Sequence, residues 1–136
     1  MNKNLESYLV DISWNESGAS KENIQDLQSK LDFRLPEDYI ELMEEFNGGE
    51  GEVGESSWLC LFPTEDLLTV NKDYELLLKQ IPDFFMFGKD AADTGFAFHK
   101  EKGTVHSFGL MSDFETDPID FCGNSFTEFI EYLYKQ

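Results

Sequence analysis

The sequence predicts an α+β fold: a central antiparallel sheet of about four to six strands, with helices from both ends of the chain packed on it. Three observations predict it. Segments with apolar residues at helical spacing gather toward the two ends. Short apolar segments gather in the middle. Two of these middle segments are joined by "EKG", a hairpin-length turn in which Gly103 can take φ > 0.

Leu5, Tyr8, Leu9 and Ile12 share a helical spacing, which gives an N-terminal turn or short helix. "WNESGAS" then reads as a loop. Ser20 can cap the next helix, with Glu22 in its first turn and Ile24, Leu27 and Leu31 on one apolar face. Pro36 opens a further helix where its missing N–H costs nothing, and Leu35, Tyr39, Leu42 and Phe46 form its buried stripe. "NGGEGEVGE" is read as a left-handed helix stop and a flexible turn. "SSWLCLF" is a strand. "PTEDLLTVNKDYELLLKQIP" returns to helical spacing, with Thr64 as cap and Pro82 as stop. "FFMFG", "GFAFHK" and "TVHSFGL" are strands, "SDFETDP" is an acidic loop, and Ile119 to Cys122 form a last short strand. The final helix starts at Ser125, whose Ser-x-x-Glu box closes on Glu128.

The chain has 136 residues, which suits one domain over 1–136 with 1–19 as a member-specific N-terminal extension. Its 28 acidic and 10 basic residues give a formal charge of −18. That balance argues against nucleic acid or an anionic membrane as a direct partner and suits a basic one. Cys60 and Cys122 are the only cysteines and read as reduced thiols. No apolar stretch has signal-peptide or membrane-span length, so the expected location is the cytoplasm.

The candidate chemistry is sparse. A phosphate cradle at Asn47 to Glu55 fails because Glu50, Glu52 and Glu55 would repel the ligand. "KDAADTG" lacks the alternating oxygen ligands of a calcium loop and reads as a tight turn before Gly95. His99 and His106 fall on one hairpin without a Cys or His at metal spacing. Spacing leaves a Cys–His dyad open, but the default for each cysteine is a small core residue. No enzyme signature, metal site or cofactor site is expected.

The helix after Pro36 is more informative. Glu37, Asp38, Glu41, Glu44 and Glu45 include like-charge pairs at i,i+3 and i,i+4, each costing about 0.2–0.5 kcal/mol. Two readings stand, a solvated face and a face held ready for a partner. The second acidic stretch, Asp113, Glu115, Asp117 and Asp120, favours the partner. Trp58, in "WLCLF", is expected in the core, and Trp14 is the better candidate for exposure.

With these segments placed, the chain resembles the SUKH superfamily, which includes the fungal cell-wall-assembly (glucan-synthesis) regulators and many bacterial relatives. The resemblance rests on "LPEDYIELMEEFNGG", then "WLCLFPTEDL", "FFMFGKDAADTGFAFH" and "NSFTEFIEYL", in that order. It implies helices flanking an antiparallel sheet. It also implies a cytoplasmic immunity protein that neutralises a cognate toxin, often a nuclease, by stoichiometric contact, or else a non-catalytic regulatory module like the fungal members; the acidic charge balance adds the expectation that the toxin is basic. It carries no catalytic residue across. Pro36, Tyr39, Asn47, Gly48, Gly49, Trp58 and Gly95 are expected to shape the fold.

Overall fold

The structure is a computed structural model that describes residues 3–15 and 17–136. Met1, Asn2 and Glu16, the last within the stretch read as a loop, lie outside the described residues. Helix α1 (Lys3–Tyr8) leads into β1 (Ile12–Trp14), α2 (Lys21–Ser29) and α3 (Glu37–Glu45). Strands β2 (Gly49–Val53) and β3 (Ser57–Leu61) follow, then a 3-10 turn at Thr64–Asp66 and helices α4 (Leu67–Asp73) and α5 (Glu75–Leu78). Strands β4 (Phe84–Lys89), β5 (Thr94–His99), β6 (Val105–Gly109) and β7 (Asp120–Gly123) precede α6 (Phe126–Tyr134). The strands form one antiparallel sheet in sequence order, β1 to β7.

Among the described residues the sheet has seven strands, more than the four to six expected. The extra ones are β1 and β2. Their sequences, "ISW" and "GEGEV", are too short or too glycine-rich to carry a strand pattern. β2 pairs with β3 along its whole length, and β1 lies tightly against its other edge. A Cβ at Gly49 would stand 2.5 Å from the Ser13 carbonyl oxygen, and one at Gly51 would stand 2.3 Å from that of Asp11. These glycines therefore serve close backbone approach. The N-terminal segment is tied into the sheet through β1, and Leu5, Leu9 and Ile12 are buried in the main core.

The helix read over Pro63 to Pro82 is three pieces. Tyr74 (φ −97°, ψ 19°) separates α4 from α5. Asn71 then pins α4 to the sheet. Its amide donates to the carbonyls of Leu67 and Met86, and its Oδ1 accepts from the Met86 N–H. This contact falls where β4 bulges between Met86 and Gly88.

Strand alternation sorts the core into two clusters, one on each face of the sheet. Phe85, Phe87, Phe96 and Phe98 join residues of α1, α2, α3 and α6 on the first face. Phe87 and Phe98 stack at 4.2 Å, and Tyr39, Phe126 and Phe129 close around them edge-on or tilted. Such pairs add about 0.5–1.5 kcal/mol beyond their buried area. The Tyr39 hydroxyl is fully buried without a hydrogen-bond partner among the described residues, and burial pushes its pKa well above the usual range. On the second face Met86, Ala97 and Phe108 meet Leu77, Leu78 and Ile81, with Phe114 and Ile119 against them. This cluster covers the β4–β6 half of its face.

Candidate functional site

The acidic helix α3 lies on the first face, held there by Tyr39, Leu42 and Met43. It does not end on a left-handed glycine. Phe46 leaves the helix in extended geometry (φ −138°, ψ 114°), and Gly48 (φ +91°) supplies the turn into β2 two residues later. The C-terminal carbonyls of α3 are met by the preceding loop: the Ala19 N–H donates to Met43 O at 2.8 Å. That loop passes so close that a Cβ at Gly18 would overlap the Glu44 carbonyl.

Asn47 is the joint of this corner. Its Oδ1 accepts from the Thr64 N–H at 2.9 Å, its amide donates to Glu65 at 2.6 Å, and its carbonyl accepts from the Asn15 amide at 2.7 Å. One residue thus ties α3, the segment after β1 and the 3-10 turn. Gly95 is also held by packing, since a Cβ there would lie 2.8 Å from Leu110 Cδ2.

The five carboxylates of α3 are not equivalent. Glu37 and Glu41 are exposed, and Glu37 lies 3.7 Å from Arg34 in an exposed pair of little energetic weight. Glu44 is half-buried and Glu45 exposed. Asp38 is engaged: it accepts from the backbone N–H and the hydroxyl of Thr127, both at 2.9 Å, and from the Tyr39 N–H. Asp38 clamps α3 to α6.

The second acidic stretch lies on the other side of the sheet, where Phe114 packs edge-on against Phe108 at 5.6 Å. Asp117 accepts from the Asp113 N–H, and Asp113 accepts from the Glu115 N–H. Both carboxylates therefore order their own loop, while Glu115 is exposed. The α3 acids and the loop acids thus lie on opposite sides of the sheet.

Neither tryptophan takes the role expected of it, and both are half-buried. Trp14 stacks on Phe46 at 4.7 Å and 12° and packs against the main core. Trp58 is half-buried and belongs to neither cluster among the described residues. The cause is register. Leu59 and Leu61 point to the first face, so Trp58 and Cys60 point to the second, opposite Glu52 and Glu50. An apolar run does not tell which residues face a covered side.

His99 and His106 face the second side with their rings 6.3 Å apart. Phe84 stands edge-on to both, and Phe121 to His106. Burial, then His99 and Lys102, push the His106 pKa down. Burial raises both thiol pKa values, which disfavours the thiolate at each cysteine. No group of three or more His, Cys, Asp or Glu among the described residues could hold a metal ion. No helix among them is long and apolar enough to cross a membrane.

An antiparallel sheet with flanking helices, fixed by the Asn47 joint and presenting acidic surfaces, defines an α+β protein of the kind the motifs suggested. The model of the SMI1 / KNR4 family (SUKH-1) matches residues 18–132, and the chain belongs to this family. α1 and β1 lie before the matched residues. No curated protein matches the chain.

Proposed function

We propose that the protein acts without catalysis, by binding a basic polypeptide, and that this partner is a cognate nuclease-type toxin which it neutralises by stoichiometric contact in the cytoplasm. The observation that supports this most is the uncompensated charge. Glu41, Glu44, Glu50 and Glu52 have no ion pair among the described residues, in a chain of net charge −18. A nuclease must attract phosphate and so carries a positive active-site surface, which a field of this sign steers toward itself.

The test is co-expression with the toxin domain encoded beside the gene. Rescue of growth and a one-to-one complex on size exclusion are expected. Failure of both overturns the immunity reading. Membership of the SMI1 / KNR4 family supports a second reading, a regulatory interaction module. A gene with no toxin beside it favours that reading.

A further inference from the structure

The β1–β3 end of the second sheet face is built differently from the rest of that face. The second core cluster draws its strand residues from β4, β5 and β6, and the helix seated on β2 and β3, α6, lies on the first face. Five side chains of β1, β2 and β3 point to the second side here: Ser13, Glu50, Glu52, Trp58 and Cys60. Glu52 is directly opposite Trp58, which places their Cβ atoms about 5 Å apart, and Glu50 is the diagonal neighbour at about 7–8 Å. Both carboxylates are exposed. Lys89 stands opposite Cys60, and its ammonium donates to the Asp90 carbonyl at 2.9 Å.

We propose that this corner is a docking surface for an arginine of a basic protein partner, with the guanidinium lying on the Trp58 indole between the Glu50 and Glu52 carboxylates. The proposal rests on the reading that the protein binds a basic polypeptide, and adds where and through which side chain. The chemistry selects the occupant. Tryptophan offers the best face for a cation, and a planar, weakly hydrated guanidinium stacks on it better than an ammonium. Two carboxylates beside the ring supply the acceptors for the guanidinium N–H groups. A nucleic acid is excluded by repulsion of its phosphates. A second copy of this chain would bring another −18 charge to the same surface.

The test compares hexa-arginine and hexa-lysine peptides as probes, by calorimetry at physiological salt. The native protein is expected to bind hexa-arginine more tightly. Trp58→Leu keeps an apolar side chain and removes the quadrupole, so hexa-arginine binding should weaken about 3- to 30-fold, to the level of hexa-lysine. Glu50→Gln with Glu52→Gln should weaken hexa-arginine binding more than the triple change Glu41→Gln, Glu44→Gln and Glu45→Gln, although the triple change removes more charge. Cys60 is a built-in reporter beside the indole, and Cys122 is only 3% exposed. Alkylation of Cys60 by iodoacetamide should slow when hexa-arginine is bound. Matching thermal melts of native and variant proteins guard against unfolding.

Arginine preference unchanged in Trp58→Leu, or alkylation unaffected by the peptide, overturns the proposal. The co-expression assay separates it from the reading beneath it. A Trp58→Leu protein that still rescues at native strength sinks the docking surface and spares the immunity reading. A native protein that fails to rescue but keeps a Trp58-dependent arginine preference does the opposite.

Discussion

Asp38 holds Thr127: one carboxylate on the first turn of α3 accepts both the backbone N–H and the hydroxyl of a residue 89 positions away, each at 2.9 Å. The charge sits where two helices begin, which favours an anion. Asp38 therefore acts on folding. Asp38→Ala should destabilise by about 1–3 kcal/mol, because it leaves the partly buried Thr127 donors unmatched. Thr127→Val should cost less, since the backbone N–H remains. A double-mutant cycle by urea denaturation should give a coupling of about 0.5–3 kcal/mol. Additive losses would show that the two side chains do not interact.

Gly48 is the position where the Asn-Gly-Gly motif demands glycine. Its φ is +91°, and a Cβ there would stand 2.7 Å from the Leu61 carbonyl oxygen. Gly48→Val should cost about 1–3 kcal/mol from backbone conformation alone, and more from the clash. Gly49 has no positive φ, but a Cβ would press on the Ser13 carbonyl. Gly49→Val should therefore act by parting β1 from β2. Hydrogen exchange distinguishes the two: Gly48→Val should lower protection globally, whereas Gly49→Val should lower it first in Ile12–Trp14.

What was legible in the chain follows from which signals are local. The caps of α2 and α6 could be read because each is written within four residues. Ser20 Oγ accepts from Asn23, Ser125 Oγ accepts from Glu128, and Glu128 reaches back to the Asn124 N–H. The hairpin at Gly103 (φ +69°) is equally local. The packing of Trp14 against the main core, the placing of Trp58 on the second face and the very existence of β2 were not legible. Each depends on which distant segment lies opposite, and side-chain period alone carries no such information. The candidate site divided in the same way. That Glu41 is exposed follows from helical period, but that Asp38 is occupied depends on where α6 docks.

His106 should make stability depend on pH. Its Nε2 lies 2.8 Å from the Thr104 hydroxyl, and its environment holds the folded pKa below the ordinary 6.5. The unfolded chain therefore binds the proton more readily. This contribution to stability is fully present above pH 6.5 and is lost as pH falls through the depressed folded value. His106→Gln keeps a polar partner for Thr104 and removes the titration. Between pH 7.5 and pH 5.5 the melting temperature of the native protein should fall more than that of the variant. Parallel curves would mean that His106 titrates alike in both states.

The carboxylates of α3 that lie off its buried face should govern capture of a basic partner. Glu41, Glu44 and Glu45 lie off the buried Tyr39–Leu42–Met43 surface, and Glu41 is three and four positions from the other two. Changing all three to Gln keeps their size and removes like-charge pairs worth about 0.2–0.5 kcal/mol each, so the melting temperature should hold or rise slightly. Association should slow instead. Steering scales with the field and is screened over about 8–10 Å at 0.1–0.15 M salt. The rate constant for capture of the basic toxin domain should therefore drop at low salt in the variant, and its decline with added salt should be shallower. Stopped-flow traces across a salt series, for the native and triple-Gln proteins, read both quantities. Dissociation should change little, because rim charges act mainly on the encounter. If the two salt series coincide while the complex still forms, this face is only solvated. The field that guides the partner then comes from elsewhere, with Glu50, Glu52 and the exposed Glu115 as the carboxylates to change next.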